Sequence, residues 1–344
     1  MSFFPEFEKA LLELPKLVEE YSERRRSVIA KYLHAIEWRV VEAQPMESTV
    51  CAVDSSFTLI ETRIGILFFV QCIAKCRSSD MYATQRSADV GIIDVANLYS
   101  EIGLRRIAPK HIVAMVAQLV ELEALRNALT QLRSHSDVYA LVDGSAISFT
   151  MMRPRKTLRV GERIEILSLS RGRTSLLDIA FRRLTLVKEL RSISNLVFVA
   201  KTSGISTYAP PYPDIELLEY ARIARIEPYI RTGFSKPVHL EGDVLSKVLG
   251  LPKNVLENYS LNCITISYAR LRDYAPTFQL SFAQRVEEDI VENVVRSLAK
   301  WSPAGYPVPL ESVHRLSKIS PKRLRKALHR IGLTPITGRE IIEY

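Results

Sequence analysis

The chain has 344 residues, of which 47% are hydrophobic and 25% charged, and a formal net charge of +9. That length can bury a large core, and the composition excludes a disordered, collagen-like or disulfide-scaffold chain. The surplus of Lys and Arg suits polyanionic partners, although an unspecialised basic surface has the same balance.

Residues 5–42 carry helical periodicity, with Leu11, Leu14, Leu17, Val18, Ile29, Leu33 and Ile36 among charges, and Pro15 is expected to divide or kink that helix. A β-rich block follows: Cys51 to Val53 leads into Asp54, then come Phe57 to Ile60 and the apolar run Ile64 to Ala74, read as short consecutive antiparallel strands. That run is too short to span a bilayer, and no signal-peptide pattern opens the chain, so a cytoplasmic, membrane-free protein is expected. The four cysteines, Cys51, Cys72, Cys76 and Cys263, read as buried thiols of a reducing compartment.

Pro109 suits the first turn of a helix running to about Arg133, and Val138 to Val142 forms a strand ending at Asp143. Helical segments around Leu176 and Leu184 to Leu190 precede a strand, Asn195 to Ala200, that ends at Lys201. Residues 208–213, rich in proline, form a loop; residues 264–271 and 278–282 read as paired strands, and helix resumes from about Val286. The expectation is one α/β domain over 1–344: a helical segment at 1–45, a core of mixed β-sheet at 46–285, and a basic helical segment at 286–344.

Two phrases carry the chemistry, Ala52-Val53-Asp54-Ser55-Ser56 and Leu141-Val142-Asp143-Gly144-Ser145. Each sets an aspartate after a strand and before turn-forming residues. A buried carboxylate needs a partner, and two in the same setting suggest a shared divalent cation. Strand-Asp-Gly is also an ordinary turn.

Helical phase supplies a third carboxylate. Ile112, Val116, Leu119 and Glu123 share one face of the 109–133 helix, whereas Glu121 points elsewhere and is expected to be solvated. Asp54, Glu123 and Asp143 would then make an all-oxygen site for Mn²⁺ or Mg²⁺, and two such ions about 4 Å apart could activate water against a phosphodiester. Glu61, Asp89 and Asp94 are reserve ligands.

Near the C-terminus, Gly305-Tyr306-Pro307 precedes a helix start with His314, a residue type able to orient water or bind phosphate, though a single histidine is more often structural. Lys322, Arg323, Arg325 and Lys326 surround Leu324 and Leu328 in a basic amphipathic helix suited to a DNA backbone.

In the order Val53-Asp54-Ser55-Ser56-Phe57, Glu123 and its neighbours, Leu141 to Ser145, and Gly305-Tyr306-Pro307 through Val313-His314, the chain resembles the NurA nucleases of archaea and thermophilic bacteria. The resemblance implies an RNase H-like core and a homodimeric ring. It also implies manganese-dependent 5′-to-3′ exonuclease and single-strand endonuclease activity in DNA-end resection, beside the hexameric HerA helicase-translocase. It carries metal binding onto Asp54, Glu123 and Asp143, and catalytic support onto Tyr306 and His314. Ser55 stands where glycine is common in the family, and Glu121 competes with Glu123 as the middle ligand. Lys201, at the end of a strand, is a further candidate phosphate contact. The alternatives are a non-catalytic DNA-binding adaptor for a translocase and an RNase H-like ribonuclease.

Overall fold

The computed structural model describes residues 4–42, 48–61, 65–77, 82–94, 108–132, 138–151, 164–208 and 210–332. Helix α1 (Pro5–Leu33) begins on a proline, carries Glu6 and Glu8 in its first turn and Lys31 in its last, and so complements its own dipole. Pro15 lies inside it without ending it, a correction of the expected division. One missing N–H costs a single intrahelical bond, which the turns on either side of a long helix can carry.

A short strand, β1 (Trp38–Val40), precedes an antiparallel meander of three long strands, β2 (Thr49–Glu61), β3 (Ile66–Arg77) and β4 (Tyr82–Ile93). The β2 strand does not stop at Asp54. Its ladder with β3 runs unbroken to Glu61, because Ser55, Ser56 and Phe57 fit a pleated strand as readily as a turn.

Helix α2 (Pro109–Leu129) then crosses the sheet to β5 (Val138–Asp143), which pairs in parallel with β2 as far as Val53↔Val142. Asp54 therefore stands where the parallel ladder ends, although its own strand continues.

A short helix, α3 (Ala146–Thr150), and a hairpin of β6 (Glu165–Ser168) and β7 (Gly172–Ser175) lead to α4 (Leu176–Ile193). Ser175 and Asp178 close the first turn of α4 reciprocally as a capping box. Strand β8 (Asn195–Ala200) lies parallel beside β5.

The remainder comprises α5 (Asp214–Ile223), β9 (Gly233–Ser235), β10 (Val238–Glu241), α6 (Gly242–Leu249), α7 (Lys253–Asn258), β11 (Cys263–Arg270), β12 (Thr277–Phe282), α8 (Glu288–Lys300), α9 (Val308–Ser317) and α10 (Pro321–Arg330). Strand order is β1-β9-β11-β12-β8-β5-β2-β3-β4-β6-β7, with β10 on β11. The central path β4-β3-β2-β5-β8, three antiparallel strands followed by two parallel ones, is the RNase H-like arrangement, and the fold is the expected mixed α/β sheet flanked by helices.

The two faces of the sheet bury different cores. Val53, Ala140 and Val142 pack under α2 and α4, whereas Ala52, Leu141 and Val199 pack under α8 and α9. Strand alternation thus sends Asp54 to the α9 side and Ser55 to the α2 side.

The cysteine reading needs one correction. Cys51 and Cys76 are register partners on β2 and β3 and form a disulfide; Cys72 and Cys263 are the free, buried thiols. The pairing is set by strand register, which cysteine spacing along the chain does not reveal. Among the described residues no helix is long and apolar enough to cross a membrane.

Candidate metal and phosphodiester site

Asp143 closes β5, and the backbone turns sharply behind it. Gly144 has φ +132°, and a Cβ there would meet the Phe149 ring at 3.0 Å, so glycine lets the chain leave the strand directly beneath the carboxylate. Ser145 then caps α3 by accepting from Ser148 N at 3.2 Å. Asp54 is 7% exposed and faces the same side.

Across the sheet, α9 packs on β2 and delivers His314, whose Nδ1–H donates to Asp54 Oδ2 at 2.7 Å; Ser317 Oγ, one turn on, lies 3.3 Å from the same oxygen. Asp54, Asp143 and His314 each offer a ligand atom within 4.8 Å of the others. Burial and the neighbouring Asp143 push the Asp54 carboxyl above its ordinary range, and His314 partly offsets them.

Two further groups converge on Asp143. Lys201, just past β8, pairs with its Oδ2 at 2.9 Å, and the Tyr306 hydroxyl lies 3.5 Å from that oxygen. The ammonium also sits 4.6 Å from the Tyr306 ring centroid. Tyr306 is held by Phe278 at 5.3 Å between centroids, and the turn before it needs Gly305 at φ +86°, where a Cβ would collide with Ala275. Burial and the Asp143 charge raise the phenol's pKa, so Tyr306 stays a protonated donor.

The middle carboxylate is the main departure from helical phase. Glu121, expected to be solvated, is buried; Ser55 Oγ donates to its Oε1, and Oε2 has no partner among the described residues. Burial foremost, then the negative charge of Asp54, raise its pKa well above the carboxylate range.

Glu123, the residue favoured by phase, points away. It and the buried Asp89 both pair with Arg171 from the β6–β7 turn. The phase argument fails because α2 is not amphipathic: it lies between β2, β3 and β4 on one side and α4 on the other, so apolar residues occupy every face.

The reserve ligands are also placed elsewhere. Glu61 lies seven residues along β2 from Asp54, roughly 23 Å at strand rise, and is exposed. Asp89 belongs to the Arg171 cluster, and Asp94 is exposed just past the end of β4. Lys322, Arg323, Arg325 and Lys326 are exposed on α10, which anchors through the buried Leu328. Sequence reading missed Ser55 as the Glu121 partner and Ser317 as an Asp54 partner; for Ser317, only its i+3 spacing from His314 pointed there.

Two carboxylates and an imidazole at the switch from antiparallel to parallel strands, with a third carboxylate buried near them, form the candidate cation site of an RNase H-like fold. The NurA domain model matches residues 48–319, and the chain belongs to the NurA family.

A curated relative, the DNA double-strand break repair nuclease NurA of Saccharolobus solfataricus, is 24% identical over 216 residues, 56% of this chain and 60% of the relative's length. The crystal structure of the NurA nuclease from Sulfolobus solfataricus superposes with a TM-score of 0.69 at 16% identity, covering 96% of this chain and 97% of that one. A NurA structure bound to dAMP and manganese gives 0.57 at 15% identity, covering 94% and 96%. At these identities the structures establish the shared fold.

Proposed function

We propose that the chain is a divalent-cation-dependent DNA nuclease that hydrolyses phosphodiester bonds in DNA-end repair. The observation that carries this reading is Glu121: a buried carboxylate near Asp54 and Asp143 with one oxygen unpartnered and no cationic side chain on it among the described residues. Such a group is costly unless a cation is its partner.

The donor set fits Mn²⁺, with Mg²⁺ as the harder alternative: Asp54 and Asp143 supply oxygens and His314 a nitrogen, and Glu121, which feels both aspartate charges, is the further oxygen the cation would draw on. When bound, the cation supplies Lewis-acid stabilisation of the phosphate and a more acidic water. The chain's own residues do the rest. Lys201, already on Asp143, is placed to meet a non-bridging phosphate oxygen; Tyr306 adds a neutral O–H donor beside it. With Nδ1 on Asp54, the other ring nitrogen of His314 is the one left to serve the cation. The basic exposed face of α10 supports backbone binding.

The finer reading is 5′-to-3′ exonuclease and single-strand endonuclease action on single-stranded DNA and duplex ends, by a homodimer that works with a HerA-type hexamer. It rests on family membership and on α1, which exposes Leu11, Leu12, Leu14, Leu17 and Val18, an apolar surface suited to protein contact.

The test is cleavage of 5′- and 3′-labelled single-stranded and blunt duplex DNA with Mn²⁺, Mg²⁺ or EDTA. Cation-dependent cleavage that is lost in Asp54→Asn is expected. Binding without cleavage under every cation would establish the adaptor instead.

A further inference from the structure

At the strand ends that carry Asp143 and Lys201, but on the α2 side of the sheet and not the α9 side that Asp54 faces, lies a cavity of about 620 Å³, within the ~300–1,000 Å³ typical of ligand pockets. It is reached from the two segments that carry Asp143 and Lys201: Ser145 lies two residues after the first, and Thr202 directly follows the second. Its walls are largely apolar, including Met115, Ile147 and Val244, and hydroxyls, the Gln118 and Gln279 amides and His111 line the remainder. Among the described residues no Lys or Arg lines it and His111 is the one titratable side chain, so those residues suit a largely neutral group.

One wall is electrostatically set from behind. Arg183 on α4 is 1% exposed, and among the described residues no carboxylate pairs with it. Its guanidinium donates to Gln118 Oε1, to Ser148 O at 3.2 Å and to Met151 O at 2.7 Å, and all three of those residues line the cavity. A guanidinium has no acceptor, so it fixes the Gln118 amide with its oxygen inward. The amide NH₂ is left as the donor of a partly exposed side chain on the cavity wall. Arg183 thus both ties down the end of α3 through Ser148 O and Met151 O and fixes the orientation of the wall amide.

We infer that this cavity receives one nucleobase of the DNA strand whose phosphate lies at the Asp54–Asp143 site, with Gln118 donating to a ring nitrogen or carbonyl of the base. The inference rests on the nuclease reading for the strand's course. Every base carries such acceptors, so the pocket senses the presence of a base more than its identity. A base in the cavity would fix the strand's register against the cation site.

The experiment is an abasic scan. Single-stranded oligonucleotides with one tetrahydrofuran residue moved through successive positions are assayed for Mn²⁺-dependent cleavage and, separately, for binding in EDTA by fluorescence anisotropy. The expected result is one position at which loss of the base weakens binding and raises KM about tenfold, the cost of one lost contact set. Gln118→Leu should reproduce that loss on intact DNA, and Ala114→Phe, which fills the cavity, should make intact and abasic strands equal.

A flat scan with normal cleavage overturns the pocket and leaves the nuclease standing. Position-sensitive binding without cleavage supports the pocket and overturns the nuclease. If Ala114→Phe fails to fold, the scan on the unaltered chain and Gln118→Leu still decide.

Discussion

Replacing Glu121 with Gln removes a charge while keeping shape, and its consequences for stability and for cation binding have opposite signs. In the metal-free protein Glu121 is fully buried, accepts one hydrogen bond from Ser55, leaves Oε2 unpartnered and feels the charges of Asp54 and Asp143. Its folded-state pKa is raised, so folding takes up a proton at any pH between the unfolded value of about 4.3 and the native one. The stability it contributes is therefore present below the unfolded pKa and declines by about 1.4 kcal/mol per pH unit up to the native pKa. Glu121→Gln has no such decline from this site and should exceed the metal-free parent by about 1–3 kcal/mol at pH 8.

With Mn²⁺ the order reverses. A cation present at 100 times its Kd stabilises the parent by about 2.7 kcal/mol, and the variant, lacking a ligand charge, should lose most of that and its cleavage. The assay is urea denaturation in EDTA and in Mn²⁺ at pH 5, 6.5 and 8. The reasoning is refuted if the variant is less stable than the parent in EDTA at pH 8, or if its Mn²⁺ response and activity are unchanged.

Glu123→Gln should leave cleavage intact and cost about 1 kcal/mol by chemical denaturation, because it pairs only with Arg171. Arg171→Ala should cost more, about 3 kcal/mol, because it strips the buried Asp89 of its counter-ion; equal effects would contradict the assigned network. Reduction of Cys51–Cys76 should lower denaturation stability by about 3 kcal/mol, with mass spectrometry after alkylation under denaturing, non-reducing conditions finding two labels on the oxidised chain and not four. Changing Lys322, Arg323, Arg325 and Lys326 together to Gln should weaken single-stranded DNA binding at every sequence. It should also lower the slope of log K against log salt by about 3; an unchanged slope removes α10 from the interface.

The strand aspartates were legible because a carboxylate following a β-branched apolar run has few other uses. The register of β2 against β5 then explains why Asp54 and Asp143 meet. The apolar runs showed an α/β domain with antiparallel strands, whereas the RNase H-like core was expected from the family resemblance. The middle carboxylate was not legible. Phase reasoning assumes one wet face, and α2 has none, so the choice between Glu121 and Glu123 depends on which side β2 presents Ser55 and where the β6–β7 turn places Arg171. His314 reaches Asp54 across 260 residues through the packing of α9 on β2, a contact no local pattern encodes. The disulfide is of the same kind: it depends on cross-strand register and not on spacing.

The most direct measurement is cleavage of end-labelled single-stranded DNA by the full chain in Mn²⁺, comparing the parent with Asp143→Asn and Glu123→Gln, each shown folded by circular dichroism. The account predicts full cleavage by the parent and Glu123→Gln, none by Asp143→Asn, and none by any of them in EDTA. Cleavage by Asp143→Asn at the parent's rate, or undiminished cleavage in EDTA, would contradict it.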